Sequence, residues 1–588
     1  MEIISMRMVN ILILKLKHVR GFSFFLGVLF ILFFPIPFWK ELIFHKNLIQ
    51  YIVYFPSLII LILWSRRYNI PIIPKSFLFL SFYFFWGFYF YFEIFFQTRI
   101  NLTLILYGLE TFHFLKSDIV EIFSSIPLGM YLHWLIFPIF SILLDSFSNR
   151  LTIIKFWQFA ILMLISFLIV YLSHSYSEMN EIKYSKLDSI RPNISKTEDK
   201  SKIKSDSNPN IKLSSDTDVF IFLLEGVGHK YWDQDNSLRD SNNPEGNANT
   251  SPRKSLSKLS NRFPQTISID NCYITTPHSS KSIFTFLTGD LQLNSTRPIM
   301  KKINIQNSLP KFFESLGYKT FFIFSQPFYM EGIDGIANSL FLEQIDSKGL
   351  EKWANQNSFD LDRFDWGVDD YILSKYLKNE ILNQKSPIFA FIGFSNTHSP
   401  YFISKNNPDY GKKLTAHERY KSSIQETSKI IREILNLIRE KRQNEPLILI
   451  LSDHGESFGE NGFWRHNYSV YNQETKIPCE ISHTKFDKIK SIPLAGLPDF
   501  SKSIQTLFSN PNYLKDNKNI FSKDYELDIP LKTWSVETYI GYIIQNDKYI
   551  FSKEANLLYK MDLLEQNKVI IESRQAKENF FKKWKSYE

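Results

Sequence analysis

The sequence predicts an all-α membrane bundle of five spans, followed by an α/β domain built on a largely parallel central sheet. Three observations lead there. Long apolar runs crowd the first ~175 residues, as membrane helices require. Past a polar stretch, short apolar runs alternate with longer amphipathic ones. Three of those short runs end directly in acids or histidines.

The chain has 588 residues, 55 of them Phe, which is enough for more than one domain. Roughly 18–25 apolar residues cross a bilayer, and five runs meet that length: ~21–39, 47–64, 77–96, 123–144 and 154–172. The first follows Lys15, Lys17 and Arg20 but lacks a small-x-small cleavage site, so it reads as a retained span. Arg7, Lys15, Lys17, Arg20, Arg66, Arg67, Lys75, Arg150 and Lys155 fall on one side of these spans. Lys40, Lys46, Arg99 and Lys116 fall on the other. The richer side should be cytoplasmic, which puts everything after ~173 outside the cytoplasmic membrane, on its periplasmic or extracellular face. Residues 100–116 read as a helix in the outer interface. Glu93 and His133 fall inside apolar runs, where ionisable groups are functional candidates. Glu93 is close enough to the outer end to reach the interface; the role of His133 stays open.

Two cysteines, Cys272 and Cys479, make neither a disulfide framework nor a thiolate metal cluster. A single bridge is compatible with an external location, but the sequence does not pair them. The net charge of +9 is dispersed and offers no basic-aromatic block for nucleic acid; attraction to anionic headgroups is its better use.

Residues 174–217 are rich in Ser, Lys, Asn and Asp and read as a flexible linker. The α/β domain follows over 218–588, with 233–262 as a long surface loop. Its expected strands are "VFIFLL" (219–224), "TFFIF" (320–324), "PIFAFIGF" (387–394) and "LILIL" (447–451). Such short continuous apolar runs suit strands covered on both faces. Residues 416–441 have helical spacing and read as the crossover into "LILIL".

The first strand ends in Glu225, the third leads to His398, and the fourth ends in Asp453-His454. Parallel sheets collect ligands at the carboxyl ends of their strands. "TTPHSSKSIFTFLTGD" (275–290) should place a hydroxyl at a helix N-terminus, where free N–H groups favour anions. Glu225, Asp453, a hydroxyl and His454 form a mixed oxygen and nitrogen set suited to one divalent ion, Zn²⁺ or Mn²⁺. A metal would activate a serine there, and His398 and His466 would hold a tetrahedral ester and protonate its leaving group. Each residue has a plainer use alone: an Asp-His loop cap, a solvated Glu225, Ser279 as a helix cap, or His398 in a turn before Pro400. Their convergence on one sheet edge is what argues for a site. Lys281, Trp366 and His229 read as structure or solvent, and His278 stays open.

Together these motifs resemble the sulfatase branch of the alkaline phosphatase superfamily, and within it the membrane-bound phosphoglycerol and phosphoethanolamine transferases, such as lipoteichoic acid synthase and lipid A phosphoethanolamine transferase. The resemblance rests on "FLLEG", "HSSKSIFTFLTG", "NTHSPY" and "SDHGESFGENG" followed by "RHN". "LPKFFESLGYKTFFI", "WGVDD" and "LLYKMDL" extend it over roughly 217–570. It implies a sulfatase-like fold for the external domain, with Glu225, Ser279, Asp453 and His454 as metal ligands. Ser279 is then the nucleophile, with Ser280 the alternative, and His398 and His466 are catalytic, substrate-binding residues. The chain departs from the pattern in three ways: serine stands for the usual threonine, "SQPFYMEGID" (325–334) lacks the Trp and Arg of a glycerol-phosphate site, and the many cysteines of lipid A transferases are missing. The donor headgroup is left open.

The implied function is transfer of phosphoglycerol or phosphoethanolamine from a phospholipid donor to an envelope glycan or lipid acceptor, through a covalent phosphoserine. Sulfate-ester hydrolysis fits less well, because Ser279-Ser280-Lys281-Ser282-Ile283 lacks the Pro and Arg of the formylglycine motif. Phosphodiester hydrolysis comes closer, since water can replace the acceptor. A catalytically silent binding module of the same fold is a reading of a different class, and the intact ligand set argues against it. A transporter reading rests on the spans alone.

Overall fold

A computed structural model describes residues 71–84 (without 72 and 75), 211–233, 265–329 (without 296–297), 332–486, 492–509, 518–534 (without 523) and 538–588 (without 554). The chain divides into two units, and all described residues from 211 onward belong to the second. Residues 77–84, inside the third expected span, are helical. The other expected spans, the 100–116 helix, Glu93, His133, residues 174–210 of the linker and residues 234–262 of the expected loop lie outside the described residues. Among the described residues no helix is long and apolar enough to cross a membrane.

The central sheet begins with β1 (Val219–Leu224), β2 (Thr266–Tyr273), β3 (Lys319–Phe324), β4 (Glu343–Ile345), β5 (Ile388–Phe394) and β6 (Leu447–Ser452). It is completed by β7 (Lys476–Ile477), β8 (Cys479–Ser482) and β9 (Ile492–Gly496). The spatial order is β7-β2-β8-β6-β1-β5-β3-β4, with β9 paired to β2. Strands β6, β1, β5, β3 and β4 are mutually parallel, whereas β8 runs antiparallel to both β6 and β2. The sheet is therefore mixed and largely parallel. All four expected strands form, and the expected crossover is a helix over Ala416–Lys441.

Alternate side chains of β1 enter opposite cores. Val219, Ile221 and Leu223 pack on one face, and Phe220, Phe222 and Leu224 on the other. Burial on both faces explains why these strands read as unbroken apolar runs. Helix α1 (Ser279–Thr288) covers the first face with Ile283, Phe284, Phe286 and Leu287. Helix α2 (Ala416–Lys441) covers the second with Ile424, Ile430, Ile431, Ile434 and Ile438. Its N-terminus is closed by a capping box between Thr415 and Glu418.

The structure corrects two expectations. The linker ends before 217: Ile211 and Leu213 are buried in the first core, and Leu213 N–H donates to Leu507 O at 2.7 Å. Their alternating apolar pattern is short and was hidden among polar neighbours. Beyond the central sheet lies a five-stranded antiparallel sheet, not foreseen as such, formed by β10 (Asp528–Lys532), β11 (Tyr539–Ile544), β12 (Asp547–Ser552), β13 (Leu557–Asp562) and β14 (Val569–Ile571). Helix α3 (Arg574–Lys585) packs on it through Phe580 and Trp584. Cys272 and Cys479 are buried free thiols.

Gly393 in β5 marks a tight approach, since a Cβ there would lie 2.2 Å from the Phe324 ring. Gly393→Ala is expected to destabilise the domain by about 1–3 kcal/mol through overpacking. The check is a lower urea midpoint with an unchanged m-value.

Candidate active site

The register of three neighbouring strands builds the site. Ser452, Leu224 and Phe394 lie level across β6, β1 and β5. The next residues are Asp453, Glu225 and Ser395, so strands about 4.8 Å apart bring two carboxylates to one edge. Gly226 then turns the chain with φ +64°, a conformation that favours glycine, and its N–H donates to Asp453 Oδ1 at 2.8 Å. Tyr420 on α2 holds this turn, donating to Gly226 O at 2.6 Å and accepting from Gly228 N–H at 3.1 Å.

Four side chains converge here. His454 Nε2 lies 3.2 Å from Glu225 Oε1 and 3.7 Å from Asp453 Oδ2. Ser279, the first residue of α1, donates from Oγ to Glu225 Oε1 at 3.0 Å and lies 3.2 Å from His454 Nε2. Ser280 is directed elsewhere, with its Oγ 3.3 Å from His278 Nδ1. The His278 ring in turn stacks on Trp534 at 4.5 Å. The start of α1 carries no side-chain cap, so the positive end of the helix faces the cluster.

The residues fit a divalent cation. Ligand atoms of Glu225, Asp453 and His454 all lie within 4.8 Å of one another. Glu225 Oε2 and Asp453 Oδ2 are buried without a hydrogen-bond partner, a costly arrangement unless a cation is shared between them. Burial, then the facing Asp453, pushes the Glu225 carboxyl well above the usual range. Burial opposes the charge on His454, but Asp453 and Glu225 overcome it and hold the imidazole up to about 10. Two carboxylates, an imidazole and a hydroxyl suit Zn²⁺ or Mn²⁺.

His398 and His466 flank this centre. The His466 ring lies 4.1 Å from that of His454 and 6.1 Å from that of His398. Burial, then His466, lowers His398 to about 3; burial, then His454, depresses His466 well below the ordinary histidine value. Each of the three imidazoles presents Nδ1 to an oxygen. Gly455 O lies 3.0 Å from His454, Ser399 O 2.7 Å from His398, and Glu456 Oε2 3.1 Å from His466. Each partner is an acceptor oxygen, so Nδ1–H donates, and in His398 and His466, which burial keeps neutral, Nε2 is the unprotonated nitrogen.

All six residues expected from the sequence thus meet at one edge. Several neighbours were missed. Glu456 orients His466. Trp366, read as structural, lies 4.1 Å from the His398 ring. Asp370 accepts from Ser395 and Asn396 N–H at 2.9 and 3.0 Å and from Ser325 Oγ at 2.5 Å, fixing the loop that carries His398. Arg465 joins that loop to the His466 segment. "SDHGE" and "WGVDD" contain three of these residues, but only the fold shows what they touch. Of the others set aside, Lys281 is buried and bonds Gln292 O and Ser295 Oγ. Burial lowers the half-buried His229 to about 4.

Cation binding should follow the raised protonation of the site. A folded-state pKa above the unfolded one gives stability that is present below the unfolded pKa and lost as pH rises through the folded value. Without metal, the protein is therefore expected to lose stability as pH rises through the raised Glu225 pKa. Metal at about 1,000 times its Kd should restore about 4 kcal/mol on the alkaline side, and acid should release the ion. Denaturation curves with chelator and with Zn²⁺ across pH check this, and Glu225→Gln should flatten the difference.

No curated protein matches the sequence. The chain is similar to the lipoteichoic acid synthase LtaP from Listeria monocytogenes, at 14% identity over 66% of this chain and 95% of that one, with a TM-score of 0.47. It is similar to the integral membrane lipooligosaccharide phosphoethanolamine transferase A (EptA) from Neisseria meningitidis, at 13% identity over 82% and 97%, with a TM-score of 0.45. A protein in the alkaline phosphatase superfamily from Vibrio parahaemolyticus gives 15% identity over 70% and 96%, with a TM-score of 0.46. The family model described as Sulfatase matches residues 235–483, so the chain is similar to the sulfatase family over that segment.

Proposed function

We propose that this protein is a membrane-anchored, metal-dependent transferase. It moves phosphoglycerol or phosphoethanolamine from a phospholipid to an envelope glycan or lipid, with its catalytic domain outside the cytoplasmic membrane. The observation that carries this reading is Ser279: a hydroxyl at a helix start, 3.0 Å from Glu225 Oε1 and 3.2 Å from His454 Nε2. Five apolar runs ahead of the domain support the anchor, which would hold the site against the donor's headgroup plane.

Glu225, Asp453, His454 and Ser279 would hold the ion, which when bound lowers the pKa of the serine hydroxyl and withdraws charge from the ester. In the first half-reaction Ser279 Oγ attacks phosphorus, the bond from phosphorus to the diacylglycerol oxygen breaks, and a phosphoserine remains. The proton that Ser279 gives up matches the one the leaving alcohol needs. In this reading His398 and His466 carry it on Nε2. Burial holds both imidazoles neutral, and an anionic ester between them would favour their protonated form. In the second half-reaction the acceptor hydroxyl attacks phosphorus, the bond from phosphorus to Ser279 Oγ breaks, and the acceptor's proton passes by way of an imidazole to Oγ, which regenerates the serine.

The test is mass spectrometry of the full-length protein in detergent micelles, incubated with Zn²⁺ or Mn²⁺ and either phosphatidylglycerol or phosphatidylethanolamine. A phospho-headgroup adduct on Ser279, absent from Ser279→Ala and retained in Ser280→Ala, is expected, and its mass names the donor. Release of free headgroup without any adduct would overturn transfer in favour of hydrolysis.

A further inference from the structure

We propose that Arg465 is a positioning residue that sets the spacing of His398 and His466 by tying their two loops together. This rests on the reading of those histidines as the pair that holds the ester. The Arg465 Nη1 group donates to Ser399 Oγ and, at 3.1 Å, to Tyr401 OH. Both acceptors belong to the turn that carries His398, which is closed by Tyr401 N–H donating to His398 O at 2.7 Å. Arg465 itself directly precedes His466, at the end of a two-stranded hairpin in which it pairs with Ser457.

The backbone around this link is unusual. Tyr401, Arg465 and Asn467 have φ values of 63°, 71° and 81°, in the left-handed region that non-glycine residues rarely adopt. They sit just after His398 and on both sides of His466. Such conformations persist where surrounding contacts over-determine them. Tyr401 supplies such contacts: it is buried against Tyr420 and Phe458, at ring distances of 5.2 and 5.7 Å. The arginine thus fastens the His466 segment to a ring already anchored on α2.

A clamp predicts a particular kinetic pattern. Arg465→Ala in the full-length protein should lower kcat for headgroup transfer about 10²-fold, the scale of a small misplacement of reacting groups. KM and bound metal should change little, and added guanidinium ion should recover part of kcat. Tyr401→Phe should give a smaller loss with the same signature, and combining the two should be less than additive. A rise in KM with kcat intact would overturn the proposal and place Arg465 on the substrate. An activity-independent readout separates this from the assigned reaction. In Zn²⁺-loaded protein carrying ¹⁵N-histidine, the imidazole Nδ1–H signals of His398 and His466 should shift or broaden in Arg465→Ala and in Tyr401→Phe, while that of His454 stays. Unchanged His398 and His466 signals in both variants would overturn the clamp. A wild type that transfers no headgroup would overturn the functional reading while these spectra still decide the clamp.

Discussion

Two buried carboxylates that face each other constrain everything else in the catalytic domain. Glu225 and Asp453 directly follow adjacent strands, each almost completely shielded from water, and each retains an oxygen with no hydrogen-bond partner. Removing such groups from water costs several kcal/mol per ion unless opposite charge compensates. A protonated His454 compensates in part, and a divalent cation would do so more fully. The site is therefore built as a socket for positive charge, and the serine hydroxyl is placed against the same atoms that would hold it.

Keeping that socket open requires rigid support, which comes from polar groups outside the ligand set. Ser452 Oγ lies within donating distance of His454 O at 2.7 Å and of Leu224 O at 2.9 Å, and accepts from Val227 N–H at 2.9 Å, joining the Glu225 and Asp453-His454 loops. Thr397 Oγ1 donates to Glu225 O at 2.5 Å, bringing in the third strand end. Gly455 passes so close to Gln473 that a Cβ would lie 2.1 Å from its carbonyl oxygen. The ligands are held by backbone geometry and by short side chains with few rotamers, which keeps the cost of ordering them low.

How much of this could be read from the chain depends on what kind of signal each part leaves. The strands 219–224, 388–394 and 447–452 were legible because burial on both faces writes an unbroken apolar run. Glu225, His398, Asp453 and His454 were legible because polar residues directly after such runs stand out. The sheet over 528–571 was not recognised, since three of its five strands mix charged residues with apolar ones, one is only three residues long, and "DIPLK" includes a proline. Glu456, Asp370, Trp366 and Arg465 left no periodic mark at all. Their roles are contacts across 10 to 66 residues of sequence, and only the closed fold brings the partners together.

The two faces of the sheet support different parts of the candidate site. Ser279, the proposed nucleophile, begins α1, whose apolar side chains pack in the core on the first face. The Glu225 turn and the Tyr401 ring are both fastened to Tyr420 of α2, on the second face. Asp453 and His454 follow β6, whose side chains enter both cores: Leu447, Leu449 and Leu451 on one side, Ile448 and Ile450 on the other. A loosened first core would move Ser279 relative to an intact ligand set. A loosened second core would disturb the ligands and the histidine pair together. Because interiors are close-packed and respond to the loss of even one methylene, attack and charge stabilisation can be perturbed separately from opposite sides of one sheet.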